Sequence, residues 1–373
     1  MMKYKTIEEW CDILDSQRIP ITAKDRIKGI YPYYGANGVQ DYIDNYIFDD
    51  ELVLLAEDGG NFGSKKRPIA YRVSGKCWVN NHAHVLKPKK DLNVDYLCYS
   101  LMFYDTNGLV NGATRQKLTQ STMRKMKIPY LKIENQLEIV KKIKKIEAVI
   151  QQQNKQLFLL DKLIKARFVE MFGTLSDNEN GFDVVIIDDV CSLIKDGTHQ
   201  TPQYIEDKEE GYKFLSSKDV MSQKIDWSKI KYIPADLHEK LYATLKPQRN
   251  DILMSKNGVN YGVAAINDTD EVFDIYVSLA LLRPKEMIDP IFFRCVINNP
   301  ETKRQFDSSI KGVGVPNLHL SEIKKTKIFL PPMKLQKEFV NFVKQVDKSK
   351  FEVQKSLEKT QQLYDSLMQK YFG

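Results

Sequence analysis

Two groups of polar, basic and aromatic side chains carry most of the recognition chemistry in this sequence. The first is Tyr31, Tyr33, Tyr34, Asn37, Lys65, Lys66, Arg67, Asn80, Asn81, His82, Arg115 and Gln116. The second is Lys195, His199, Gln200, Gln203, Ser216, Ser217, Lys218, Lys256, Asn257, Asn260 and Tyr261. Arginine and lysine contact phosphate or guanine, asparagine and glutamine pair with adenine, and aromatic rings stack on bases. Lys65-Lys66-Arg67, directly after Gly63-Ser64, suits a phosphate grip. Both groups fall where strand ends and loops are expected, which is where a reader of nucleic acid presents its side chains.

Catalytic spacings are missing. No GxxxxGK[ST] phosphate loop occurs, since the Gly/Lys stretch from Gly59 to Lys65 is wrongly spaced. Gly312-Val313-Gly314-Val315-Pro316 lacks the third glycine and the strand context of a dinucleotide site. The Pro331-Pro332 pair lies between Leu330 and Met333, not in the (Asp/Asn)-Pro-Pro-(Tyr/Phe) setting of an amino-methyltransferase. His238-Glu239 begins an HExxH pattern, but Tyr242 replaces the second histidine. The expectation is a chain with no catalytic residues, no metal and no cofactor of its own.

Composition agrees with that reading. A chain of 373 residues can hold two domains, and 42% hydrophobic with 28% charged residues is ordinary for a globular protein. The net charge of +7 permits a polyanionic partner without establishing one. Five cysteines without a CxxC pair point to buried thiols in a reducing, cytoplasmic setting. The N-terminal Met-Met-Lys-Tyr-Lys has no signal-peptide core, and no run of 18 apolar residues would span a membrane.

The elements that must position these side chains come in duplicate. Residues 127–173 and 327–373 align at an offset of 200 without a gap, with 11 of 47 positions identical. Each copy carries apolar residues in steps of four and three. One series is Ile139, Ile143, Ile146, Ile150, Gln153, Leu157, Leu160, Ile164, Arg167 and Met171. The other is Phe339, Val343, Val346, Lys350, Val353, Leu357, Thr360, Tyr364, Leu367 and Tyr371. Such a seam predicts two long helices that pair with one another, with Gln153, Arg167, Lys350 and Thr360 fixing the register. Phe172-Gly173 and Phe372-Gly373 end both helices alike, glycine suiting the cap. The exposed lysines Lys141, Lys142, Lys144 and Lys145 are candidate partner contacts.

The regions before each helix are related more loosely. Residues 187–194 echo 7–14, residues 251–262 echo the stretch around 54–63, and residues 278–285 echo 83–89. Residues 52–56 predict a buried strand ended by a turn at 57–60, residues 30–38 a loop between strands, and residues 95–104 a helix. The predicted organisation is α+β: recognition domains at 1–126 and 174–326, and spacer helices at 127–173 and 327–373.

These features together resemble the specificity subunit of type I restriction–modification enzymes. Residues 330–340, Leu-Pro-Pro-Met-Lys-Leu-Gln-Lys-Glu-Phe-Val, are similar to that family's Leu-Pro-Pro-Leu-x-x-Gln-x-x-Ile segment, and Gln136 with Pro129 keeps part of it in the first copy. Gly112-Ala113-Thr114-Arg115-Gln116-Lys117-Leu118 resembles the preceding Gly-x-Thr-x-x-x-Leu segment, with Gly314 replacing threonine in the second copy. Tyr31-Pro32-Tyr33-Tyr34-Gly35 is another loop of that family. The resemblance implies two pseudo-symmetric target-recognition domains separated by two long antiparallel coiled-coil helices. It implies that each domain reads half of a bipartite double-stranded DNA site. Two modification subunits would methylate adenine at N6 with S-adenosylmethionine, and restriction subunits would add ATP- and Mg2+-dependent cleavage. A type IIB-like recognition subunit and a coiled-coil scaffold that binds no DNA are the alternatives.

Overall fold

The computed structural model describes residues 3–112, 114–206, 209–310 and 316–373. By contact the chain divides into two units, Met1–Lys155 with Val353–Gly373, and Gln156–Glu352. Each unit therefore holds one mixed domain together with half of each long helix.

The first unit is built on a six-stranded sheet ordered Cys11–Ile13, Ala83–Pro88, Phe48–Ala56, Ala70–Val79, Lys28–Gly35 and Gly38–Ile43. Its neighbours pair antiparallel, except that Lys28–Gly35 runs parallel to Ala70–Val79. The strand Phe48–Ala56 is buried on both faces from Leu52 to Ala56, and there its side chains alternate between two cores. Val53 and Leu55 pack with Tyr96 and Leu97 of the helix Val94–Met102, while Leu52 and Leu54 pack with Val73 and Val85. Residues 30–38 are not the loop expected from their proline and glycines. Tyr31 to Gly35 are strand, and the turn shrinks to Ala36-Asn37. Register shifts on both sides of Pro32 let that strand take a residue with no N–H to donate.

The second unit repeats the plan with shorter strands. A four-stranded sheet runs Cys191–Asp196, Leu279–Pro284, Ile252–Ser255 and Ala264–Ile266. Beside it a three-stranded sheet runs Lys231–Ile233, Tyr212–Leu215 and Phe273–Ile275. Ile252 and Met254 enter the core shared with Phe292 and Phe306, whereas Leu253 faces Phe273 and Ile275. The buried strand expected at 52–56 is present, and its counterpart at 252–255 divides its side chains between two cores in the same way.

The long helices span Ile133–Phe172 and Met333–Phe372, 40 residues each, at the same offset of 200 seen in the sequence. Every residue of the two seams is shielded from solvent at least in part, while the positions between them are mostly exposed. The pairing is antiparallel. In the first unit Tyr364 reaches Glu147 and Gln153 reaches Ser356; in the second Lys350 pairs with Asp161 and Arg167 with Glu338. In both units partner numbers fall along one helix as they rise along the other. The helix ends follow from this arrangement. Phe372 closes on Tyr96 and Tyr99 with ring centroids 5.3 and 6.4 Å apart. Phe172 closes on Phe292 and Phe339 at 5.2 and 5.5 Å.

Each helix entry is fastened in the same way. A two-stranded clasp joins Tyr4–Thr6 to Lys127–Pro129, and another joins Asp183–Ile186 to Lys327–Leu330. Behind the clasps sit Gln136 and Gln336, both fully buried. All five cysteines are free, and burial pushes the thiols of Cys11, Cys77, Cys98 and Cys191 up to about 12. Among the described residues no helix is long and apolar enough to cross a membrane.

Candidate nucleic-acid interface

Both units place a tight turn after the central strand and hold it with the same backbone bonds. In the first unit Glu57 N–H donates to His82 O at 2.9 Å, Leu118 N–H to Glu57 O at 2.7 Å, and Gly59 N–H to Gln116 O at 3.0 Å. In the second, Lys256 N–H donates to Ser278 O at 2.9 Å, Leu318 N–H to Lys256 O at 2.7 Å, and Gly258 N–H to Pro316 O at 2.9 Å. Glycine is required because Gly59 and Gly258 have φ of +70° and +86°. The segment just before the clasp strand is thereby laced to the turn in each unit. This frame explains why the sequence places candidate residues at 80–82, 115–116 and 256–260.

In the first unit the frame collects Asn37, Asn80, Asn81, His82, Arg115 and Gln116. Arg115 Nε lies 2.7 Å from Asp58 Oδ1, His82 Nδ1 lies 3.4 Å from Asp58 Oδ2, and Asn37 Nδ2 donates to Gly59 O at 3.0 Å. Asn80 is buried and shapes the turn: its Oδ1 accepts from His82 N–H at 2.8 Å and its Nδ2 donates to Gln40 at 3.1 Å. Lys65, Lys66 and Arg67 are exposed on the next loop, where Ser64 Oγ accepts from the Lys66 and Arg67 N–H groups at 3.2 and 2.9 Å. The tyrosines stand apart. Tyr31 packs on Tyr46 and Tyr34 stacks on Tyr71, at 5.1 and 5.8 Å. Tyr33 is 1% exposed and its hydroxyl bonds to the Ile21 backbone, so its ring belongs to the core and is not open to a base.

Beneath this turn lies a buried charge network. Arg18 Nη1 is 2.6 Å from Glu57 and Nη2 is 3.6 Å from Asp15. His84, fully buried, meets Asp15 Oδ2 through Nδ1 at 2.7 Å and Leu118 O through Nε2 at 2.9 Å. An oxygen acceptor thus stands at each ring nitrogen, which fixes the plane of the imidazole. Burial alone would push Asp15 up, but hydrogen bonds from His84, Val85 N–H and Gln120 outweigh it and hold the carboxyl below its usual range. Asp15, Glu57 and His84 are close enough together to ligate a metal ion. Arg18 already supplies the counter-charge there, and the three read as the support of the turn.

In the second unit the frame carries different groups. Lys256 is buried and pairs with Asp196 at 2.8 Å, and His199 reaches the same carboxylate at 3.3 Å. A lysine held inside the domain has no free charge for a phosphate, so its expected contact role is replaced by a structural pair. Lys195 donates to Thr244 O at 3.0 Å, and Ser217 N–H donates to Ser278 Oγ at 3.0 Å. Ser216 is tied to Asp219, while Gln200, Gln203, Lys218 and Asn260 are exposed. Tyr261 is 9% exposed, bonded to Asp307 and covered by Lys303 at 3.8 Å, and it joins the core. Residues 312–315 and Ala113, which belong to the repeated Gly-x-Thr segment and the Gly-Val-Gly stretch, lie outside the described residues.

On the helices Lys142 pairs with Glu138 and Lys144 with Asp95, each at 2.6 Å, while Lys141 and Lys145 are exposed. Sequence reasoning did not single out Asp58, Asp196 or Ser278. They have no motif of their own and gain a role only through the frame.

Comparison with known proteins follows the duplication. The family described as the type I restriction modification DNA specificity domain matches residues 1–158 and again 179–363. The Haemophilus influenzae protein S.HindORF215P is 36% identical over 140 residues, covering 38% of this chain and 36% of that one. The type I restriction enzyme MjaVIII specificity subunit of Methanocaldococcus jannaschii is 22% identical over 371 residues, covering 91% of this chain and 85% of that subunit. The crystal structure of the type I restriction-modification S subunit from M. genitalium superposes with a TM-score of 0.59 at 14% identity, covering 100% of this chain and 96% of that one. Its likeness is one of fold. Matched twice by one family model across two units of one plan, the chain belongs to the type I restriction modification DNA specificity family, with the role of a specificity subunit.

Proposed function

We propose that the chain binds double-stranded DNA and reads a bipartite site, one half through each recognition domain, with the paired helices as the spacer. The observation that carries this is the repeated turn frame, which keeps its backbone bonds in both units while its side chains differ. A constant frame with variable side chains is what reading two unlike half-sites requires. The exposed basic groups at 65–67 and 218 would supply phosphate contacts.

The chain itself would carry no chemistry. Two modification subunits would bring S-adenosylmethionine and methylate adenine at N6 on the site, and restriction subunits would bring ATP and Mg2+ for cleavage, in the cytoplasm. Of the four candidate lysines, Lys142 and Lys144 are engaged in ion pairs, and the exposed Lys141 and Lys145 would meet such partners. The test is DNA affinity measured over a range of salt. Phosphate contacts make log affinity fall by roughly 0.9 per contact for each log unit of salt. A scaffold that binds only protein shows no such slope.

A further inference from the structure

The two turns that share a backbone frame present opposite chemistry at their tips. In the first unit Asp58-Gly59-Gly60-Asn61-Phe62-Gly63 forms the turn, and in the second Asn257-Gly258-Val259-Asn260-Tyr261-Gly262 forms it. The four glycines at matching positions, Gly59 with Gly258 and Gly63 with Gly262, all have positive φ, so the alignment is one of conformation as well as sequence. Gly60 offers no side chain at the tip. The neighbouring loop supplies one instead: Arg115 leans over Gly59, 3.3 Å from where a Cβ would stand.

Arg115 is held by one edge only. Its Nε is taken by Asp58 at 2.7 Å, and Nη2 lies 3.4 Å from His82 Nδ1, while the side chain stays 60% exposed. A carboxylate on Nε fixes the plane of the guanidinium and leaves the outer Nη1–Nη2 edge for a ligand. That edge matches the O6 and N7 acceptors of guanine. In the sequence repeat Val315 aligns with Arg115 and Asn257 with Asp58, so the arginine–aspartate pair is not repeated. Val259 takes the tip and is 83% exposed. An isopropyl group held in water at a glycine-bounded turn fits an apolar contact in a groove, and the thymine methyl is the apolar feature of a base edge.

We infer that the turn after the central strand, together with the loop laced to it, is the base-reading element of each half, with Arg115 of that loop taking a guanine in one and Val259 of the turn facing a thymine methyl in the other. This rests on the reading of the chain as a two-part DNA reader. Both residues are exposed, so substitutions there leave the cores intact.

The test selects duplexes from a randomised bipartite library with the full chain and the subunits that accompany it, for wild type, R115K, R115A and V259A. The wild type must select a defined bipartite sequence; if it selects none, the underlying reading fails before this one is reached. The expected result is that R115K and R115A each relax one guanine position of one half by about ten- to hundredfold and leave the other half unchanged. V259A relaxes one thymine position of the opposite half. If R115A instead weakens all sequences alike, lowers the salt slope by about 1 and R115K restores it, Arg115 grips phosphate and the inference is overturned. Unchanged selection by R115A, or by V259A, overturns it as well.

Discussion

Gln136 and Gln336 stand 200 residues apart and make the same three hydrogen bonds. Gln136 Oε1 accepts from Asn93 N–H at 2.8 Å, and its Nε2 donates to Asp91 O and Leu131 O at 3.0 and 2.8 Å. Gln336 Oε1 accepts from Asp289 N–H at 2.8 Å, and its Nε2 donates to Met287 O and Pro331 O at 3.1 and 2.9 Å. Each amide locks the start of a long helix to the helix of its own domain. Truncating either one strands several buried peptide groups, each costing about 1–3 kcal/mol. Gln136→Ala and Gln336→Ala should each lower stability by roughly 2–5 kcal/mol in denaturant unfolding. An unchanged midpoint for either would show that the anchor is not needed.

The helix ends carry a second prediction. Phe339 is fully buried and meets Phe168, Phe172 and Phe292 at 5.6, 5.5 and 6.1 Å. Phe339→Ala should cost about 3–5 kcal/mol, because such a ring cluster cannot collapse over the cavity. The measurement is thermal unfolding of the full chain, and a loss below about 1 kcal/mol would contradict the packing.

Glu147 links the helix pair to its domain, accepting from Tyr99 Oη at 2.6 Å and Tyr364 Oη at 3.2 Å. Burial, and then the Glu147 carboxylate, push both phenols above their ordinary value of 10.0. A raised folded-state value means the neutral phenol is favoured in the fold. Its stabilisation is complete below about pH 10 and is lost as pH rises through the folded-state value. The wild type should therefore lose more stability between pH 9 and 11 than the Tyr99→Phe/Tyr364→Phe double variant. Parallel losses in melts at the two pH values would contradict this.

Asp15 acts in the opposite direction. Its carboxyl is held below the usual range despite burial, so its contribution is present above the unfolded value of about 4 and is lost as pH falls through the folded value. Asp15→Asn should destabilise the protein by about 3–5 kcal/mol at pH 7, since His84 and Arg18 lose a buried partner. The gap to wild type should narrow near pH 3. A gap of the same size at both pH values would mean the carboxylate charge is not what holds the turn.

The parts legible in sequence were those with a period. The seams at 139–171 and 339–371 announced two long helices, and the central strands announced themselves by unbroken apolar runs. The strand through Pro32 was hidden because its pairing depends on register shifts that only the neighbouring strand reveals. Site residues were legible by type and only partly by place. Arg115 and His82 fall together because backbone bonds lace two distant loops, and no spacing encodes those bonds. Tyr33, Tyr261 and Lys256 look like ligand groups in a string of letters. They are buried because sheet alternation and a facing carboxylate claim them first.

The most direct test of two-part reading is a domain exchange followed by mapping of methylated adenines. Residues 1–126 would be replaced by the corresponding domain of another family member, and the modified sites mapped across a genome in cells that also supply the modification subunits. The expected result is that one half of the bipartite site changes while the other half and the spacer length stay as they were. A change in both halves, or in neither, would contradict a protein that reads DNA with one domain for each half.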